Sequence, residues 1–227
     1  MQTSLYASDD IQNQAKSRIR SVIHGRDSEV LNSMISFYRR PSGPIVDVTC
    51  NERRMWKGVD YPHISCDKDQ SVNPDVLCDF TSLPFKSGTV SLLIFDPPHL
   101  PAAAASEKSL KPFARRYGLG TTSLKNNIHP LFEPFLQEAS RVLIADGLIF
   151  AKLCDYVHNH KYQWVQVEFV QAVFNVSGLT ATDMIIKEDP CGGNLSSGRW
   201  VNSHHARRSH SWWIVVRKGK CEPAKGW

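Results

Sequence analysis

The apolar run SLLIF stops at residue 95 and is followed by an acid, two prolines and a histidine, Asp96-Pro97-Pro98-His99. Three further carboxylates stand in or at the ends of strand-like runs. Asp47 lies within IVDVTC, whose end carries Thr49 and Cys50; Asp67 closes HISCD; Asp79 stands near the end of DVLCDF. In open α/β sheets, ligands bind beyond the carboxyl ends of the strands. Four acids placed there form a row of hydrogen-bond acceptors along one edge. Proline fixes φ and donates no hydrogen bond, so Pro97-Pro98 makes the turn after Asp96 rigid and rich in acceptors. Taken alone, the tetrapeptide also reads as a β-turn that punctuates a strand, and each single acid as a solvated or capping group.

The elements that must position these residues follow from hydrophobic spacing. Residues 9–38 have helical periodicity, with Gly25 dividing them into two helices. The strand candidates are IVDVTC, HISCD, DVLCDF, TVSLLIF, LIFAKLC, ATDMIIKED and SWWIVVRKG. HPLFEPFLQEASRVLIADG reads as a helix ending at Gly147, and YQWVQVEFVQAVFNVSG as one ending near Gly178. Strands alternating with helices predict an α/β fold: a Rossmann-like, seven-stranded, mostly parallel sheet with helices on both faces. The last two strands have no helical pattern between them, so they are expected to pair antiparallel at one end of the sheet. Residues 101–127 and 190–208 lack periodicity and read as long loops, the kind that carry function.

In series, these residues resemble the class I S-adenosylmethionine-dependent methyltransferases of the amino-group type. VDVTC is similar to their first cofactor motif, the Cys66-Asp67 pair to their ribose-binding acid, and CDFTSLPF to the segment that holds the adenine. Asp96-Pro97-Pro98-His99 stands where they carry D/N/S-P-P-Y/F/W. The stretch DFTSLPFKSGTVSLLIFDPPHL is particularly similar to small phage and bacterial enzymes of this group, and the resemblance spans residues 44–219. It implies S-adenosylmethionine as cofactor, with Asp47, Thr49, Cys50, Asn51, Trp56, Asp67, Asp79 and Phe80 on the cofactor side. It implies that Asp96 and the Pro97 carbonyl accept the two hydrogens of an exocyclic amine. The nitrogen lone pair, otherwise delocalised into the ring, then points at the methyl donor. Pro98 completes the turn, and His99 would stack on a flipped base in place of the usual aromatic. The glycines that normally follow the first acid are absent. Asn51 stands where one is expected, and asparagine tolerates positive φ better than most residues. Trp56 reads equally as part of a variant pocket or as a core anchor.

For the substrate side, the sequence offers Arg115, Arg116 and Tyr117 in the first long loop, Lys152 after the fifth strand, and Arg199, Trp200, His205, Arg207 and Arg208 in the second. Arginines contact phosphates and aromatics stack bases. From Lys187 to the end, eight Lys and Arg face three Asp and Glu, a surplus equal to the whole chain's formal +5. A basic segment of this kind suits a polyanion, or is merely solvated. The expected partner is nucleic acid, DNA ahead of RNA. With little chain left for a separate recognition domain, the loops or a homodimer mate must read the target. No metal is expected: the histidines at 204, 205 and 210 lack partners for a full ligand set. The chain is expected to fold as a single domain over 1–227, with an N-terminal helical segment (1–43), a catalytic core (44–219) and a tail (220–227). Six cysteines without C-x-x-C spacing read as reduced thiols. A polar start and the absence of a long apolar run predict a cytoplasmic protein with no membrane partner. The most specific expectation is methylation of DNA adenine N6. The alternatives are cytosine N4, an RNA or protein amide, and a catalytically silent nucleic-acid-binding module.

Overall fold

A computed structural model describes residues 18–38, 42–98, 128–158, 161–188 and 209–219. Its strands are β1 (Val22–His24), β2 (Ile45–Asp47), β3 (Ile64–Asp67), β4 (Val76–Leu77), β5 (Val90–Phe95), β6 (Leu143–Leu153), β7 (Tyr156–His158), β8 (Lys161–Gln163), β9 (Leu179–Glu188) and β10 (His210–Lys218). The α-helices among the described residues are α1 (Asp27–Tyr38), α2 (Phe132–Val142) and α3 (Val165–Asn175). Eight strands form one sheet in the order β1-β9-β10-β6-β5-β2-β3-β4. Strand β10 runs antiparallel to both its neighbours, and every other pairing in the sheet is parallel.

The core follows from the two-residue alternation of strand side chains. Ile45, Leu92, Ile94, Leu148, Phe150, Trp213 and Val215 meet Val30, Leu31, Met34 and Ile35 of α1 on one face. Val46, Leu93, Phe95, Ile149, Ala151, Ile214 and Val216 meet α2 and α3 on the other. All six residues of β5 are buried, as a central strand covered on both faces requires.

All seven expected strands are present, and an eighth corrects the count. Val22–His24, expected to be helical, is β1, paired parallel to β9 from Val22↔Ile186 to His24↔Glu188. Its apolar residues fit a helix and a short β-branched strand equally, and the open edge of β9 decides. The antiparallel pairing of β9 and β10 is as expected, but they do not end the sheet, because β1 lies outside β9. Helix α2 stops at Val142, five residues before the expected Gly147. Leu143 is extended and already opposite Val90, whereas Leu148 is opposite Leu92, so residues 144–147 bulge out. Asp146 takes φ 60°, and a Cβ at Gly147 would lie 2.9 Å from the Ile144 carbonyl oxygen. Helix α3 begins at Val165, since Tyr162 and Gln163 are consumed by the β7–β8 hairpin. Its first N–H groups are capped from outside: Val165 donates to Asp155 Oδ1 at 2.9 Å. No helix among the described residues is long and apolar enough to cross a membrane.

Candidate active site

Strand register gathers the predicted acids. Asp47 is level with Ser65 on β3 and with Ile94 on β5. Two residues further on, Thr49, Asp67 and Asp96 reach the carboxyl edge together, and Phe95↔Ala151 brings Lys152 beside Asp96. Asp96, Lys152 and Asp47 share the strand phase of Ile94, Phe150 and Ile45, the residues that face α1. A cleft of about 260 Å³ opens there, lined by Asp27, Asp47, Thr49, Asn51, Asp96 and Lys152, with Cys50, Glu52, Arg54 and Met55.

The loop after β2 holds its shape by side-chain bonds instead of by glycines. Asp47 is 1% exposed. Its Oδ1 accepts the Thr49 N–H at 3.0 Å and its Oδ2 the indole N–H of Trp56 at 2.7 Å. Burial raises its pKa to about 7 against the opposing pull of these two donors, with the Asp96 and Asp67 carboxylates adding to the rise. Asn51 and Arg53 both take positive φ, 44° and 52°, so asparagine does adopt the turn expected of it. Arg53 then reaches across to Ser65 Oγ at 2.8 Å and to the Val72 and Asn73 carbonyls, which ties the loops after β2 and β3 together. Asp67 accepts the Asn51 N–H at 2.9 Å and the Asp69 N–H at 3.0 Å. Cys50 is buried, and that burial, reinforced by Asp47 and Asp67, pushes its thiol up to about 12. The cysteines at 50, 66, 78 and 154 are all free.

Trp56 is buried and stacks on His63 with ring centroids 3.6 Å apart, which places it behind the loop as an anchor. Trp56→Phe keeps the stack and the apolar contacts but loses the N–H to Asp47. It is expected to cost about 2 kcal/mol, the range for leaving a buried acceptor unsatisfied, read as a shift of the urea midpoint with unchanged slope.

Asp79 is exposed and folds back on its own turn, accepting the Thr81 N–H at 2.9 Å and the Thr81 hydroxyl at 2.8 Å. Phe80 is buried against Phe95 and Phe135, at 5.2 and 5.8 Å between centroids. The segment that follows is clamped to α2: the Leu83 N–H donates to Glu138, and Arg141 donates to Glu138 and to the Leu83 and Phe85 carbonyls.

Asp96 sits at the carboxyl end of β5, its N–H donating to Thr49 Oγ1 at 2.7 Å, with Pro97 buried behind it. Lys152 Nζ lies 3.1 Å from Asp96 Oδ2 and 2.9 Å from Asp27 Oδ2, and Lys187 Nζ is 3.3 Å from Asp27 Oδ1. Burial alone would push the Lys152 pKa down. Asp96 and Asp27 more than offset it, so the ammonium stays charged. Asp27 and Lys187 were not legible as site residues: an acid in the first turn of a helix is commonplace, and only the fold sets it against Lys152. Nine expected site residues, His99, Arg115, Arg116, Tyr117, Arg199, Trp200, His205, Arg207 and Arg208, lie outside the described residues.

The strand order and the antiparallel strand β10 match the Rossmann-like fold of solved methyltransferases. Among solved structures, the chain is similar to an S-adenosylmethionine-dependent methyltransferase from Methanosarcina mazei. The two are 10% identical with a TM-score of 0.50, over 82% of this chain and 97% of that one. It is also similar to TrmN from Thermus thermophilus, at 14% identity and a TM-score of 0.51, over 84% of this chain but 48% of that one. At these identities the likeness is one of fold. No protein-family model and no curated protein matches the sequence.

Proposed function

We propose that the protein is an S-adenosylmethionine-dependent methyltransferase acting on an exocyclic amino group of a nucleic-acid base, adenine N6 of DNA first and cytosine N4 second. The observation that carries this reading is the placement of Asp96. Its carboxylate closes the central strand, lines the cleft and is followed by the acceptor turn Pro97-Pro98. The cleft also carries groups that suit the amino-acid end of the cofactor. Asn51 Oδ1 is buried there with no hydrogen-bond partner among the described residues, an acceptor suited to an ammonium. Four of the lining side chains are acids and two are bases; even with Asp47 protonated the acids outnumber the bases three to two, a surplus that favours a ligand bearing a sulfonium cation. Asn51, Thr49 and Asp47 would hold the amino-acid half, and Asp67 and Asp79 the nucleoside half.

When bound, that cofactor supplies an electrophilic methyl carbon. The chain's own part is to orient the amine. Asp96 accepts one N–H, and the Pro97 carbonyl is the second acceptor. The lone pair is thereby directed out of the ring plane toward the cofactor side of the cleft. Lys152 keeps Asp96 paired with a cation, so the carboxylate remains an acceptor. The basic C-terminal segment supports a polyanionic substrate.

The test is transfer of labelled methyl groups to random-sequence DNA duplexes and, in parallel, to structured RNA, with the product nucleosides identified by mass. N6-methyldeoxyadenosine is the expected product. Label confined to RNA would move the target, label on carbon would remove the role of Asp96, and no cofactor binding would favour the silent module.

A further inference from the structure

Lys152 presents a feature that the proposed chemistry has not used. Its side chain is 14% exposed, and its ammonium has three N–H donors. Two are taken by Asp27 Oδ2 at 2.9 Å and Asp96 Oδ2 at 3.1 Å. The third has no partner among the described residues, although Lys152 lines the cleft. Lys152 is only partly buried, and a charged donor that faces the cleft is available to whatever enters. Asp27 is in turn fixed by Lys187, whose side chain is 7% exposed. The ammonium is therefore held between two carboxylates, Asp27 on one side and Asp96 on the other.

Resting on the reading above, we propose that Lys152 and Asp96 act as one donor–acceptor couple that selects the substrate. The pocket takes an amino group with a hydrogen-bond acceptor on the neighbouring ring atom. Asp96 accepts from the amine, and Lys152 Nζ donates to the ring nitrogen beside it. The two charged atoms are 3.1 Å apart, close enough to meet adjacent atoms on one base edge. Aminopurines and aminopyrimidines offer that edge; a simple alkylamine does not. Asp27 and Lys187 are positioning residues for this couple.

The experiment first locates the methylated base in the random duplex pool. It then compares a duplex carrying that base with duplexes in which the neighbouring ring nitrogen is replaced by C–H (1-deaza- or 7-deazaadenine, or 3-deazacytosine). In the wild type, one of these replacements lowers kcat/KM by about 10²-fold, as expected when a charged donor that the bound base shuts off from water is left unmatched. Lys152→Met loses a similar factor on the natural base and no longer distinguishes the analogue, while its affinity for the inhibitor sinefungin is unchanged. Equal rates on every analogue in the wild type would overturn the proposal, as would a Lys152→Met variant that keeps the discrimination. Loss of sinefungin affinity in Lys152→Met would assign the donor to the cofactor instead, and also overturn it. The analogue comparison in the wild type needs no variant, so it decides even if Lys152→Met fails to fold. A pool with no methylated base at all removes the underlying reading and the couple with it, a result distinct from methylation without discrimination.

Discussion

Alanine at position 96 lowers methyl transfer by about 10³-fold, the upper range for removal of one preorganised group that acts in the transition state, and leaves S-adenosylmethionine affinity within a few-fold. The asymmetry follows from the geometry. The Asp96 carboxylate is paired with Lys152, whereas the partnerless Asn51 acceptor and the bonds that shape the β2 loop belong to other side chains. The Asp96 main chain is held independently of its side chain, by the N–H to Thr49 Oγ1 and by Pro97, so truncation does not release the turn. Asp96→Asn keeps one acceptor oxygen and loses the ion pair with Lys152; it is expected to fall between wild type and alanine. The measurements are single-turnover transfer with saturating cofactor, and calorimetric titration of the same preparations. An alanine variant within tenfold of wild type would take Asp96 out of the chemistry. A variant that no longer binds cofactor would place the carboxylate in the cofactor pocket.

What the sequence made legible was the set of places where apolar runs stop. Strand ends are written locally: HISCD and SLLIF each run into an acid, IVDVTC carries one within its run, and parallel register then brings those ends to one edge. What it hid depends on partners far along the chain. Lys152 and Asp27 are 125 residues apart, and no spacing rule pairs them. Val22–His24 is a strand because β9 has an open edge, which its own apolar pattern does not record. Phe80 is adjacent in sequence to an expected adenine acceptor, yet Phe95 and Phe135 supply it with a packed aromatic environment. The start of α3 was misplaced for a related reason: its cap, Asp155, sits ten residues before Val165 instead of next to it. Asn51 went the other way. Its local preference for positive φ was enough to foresee the turn, because that is a property of one residue and not of a contact.

Asp47 makes the protein less stable as pH rises from about 4 to about 7. Its pKa is about 7 when folded and near 3.8 in an unfolded chain. Between those values the folded state keeps a proton that the unfolded state has released, so raising the pH favours unfolding. Below the lower value both states are protonated, and above the upper one both are ionised, so the effect is flat at each end. The gap amounts to at most about 4 kcal/mol, since one pKa unit is worth about 1.4 kcal/mol. Glu138 works against it in the same curve: paired first with Arg141, its carboxyl is held below the ordinary range, and it contributes stability that is lost as pH falls. The two are separated by difference. Asp47→Asn keeps an acceptor for the Thr49 or Trp56 N–H but carries no titrating proton. The stability of wild type minus that of Asp47→Asn, from urea denaturation at matched pH, therefore isolates the aspartate. It is expected to fall by about 2–4 kcal/mol from pH 4.5 to pH 8, with Asp47→Asn the better tolerated at high pH. Parallel curves for the two proteins would mean that Asp47 is ionised throughout. The Trp56 and Thr49 donors would then outweigh burial, and the loop would be anchored by a charge instead of a neutral carboxyl.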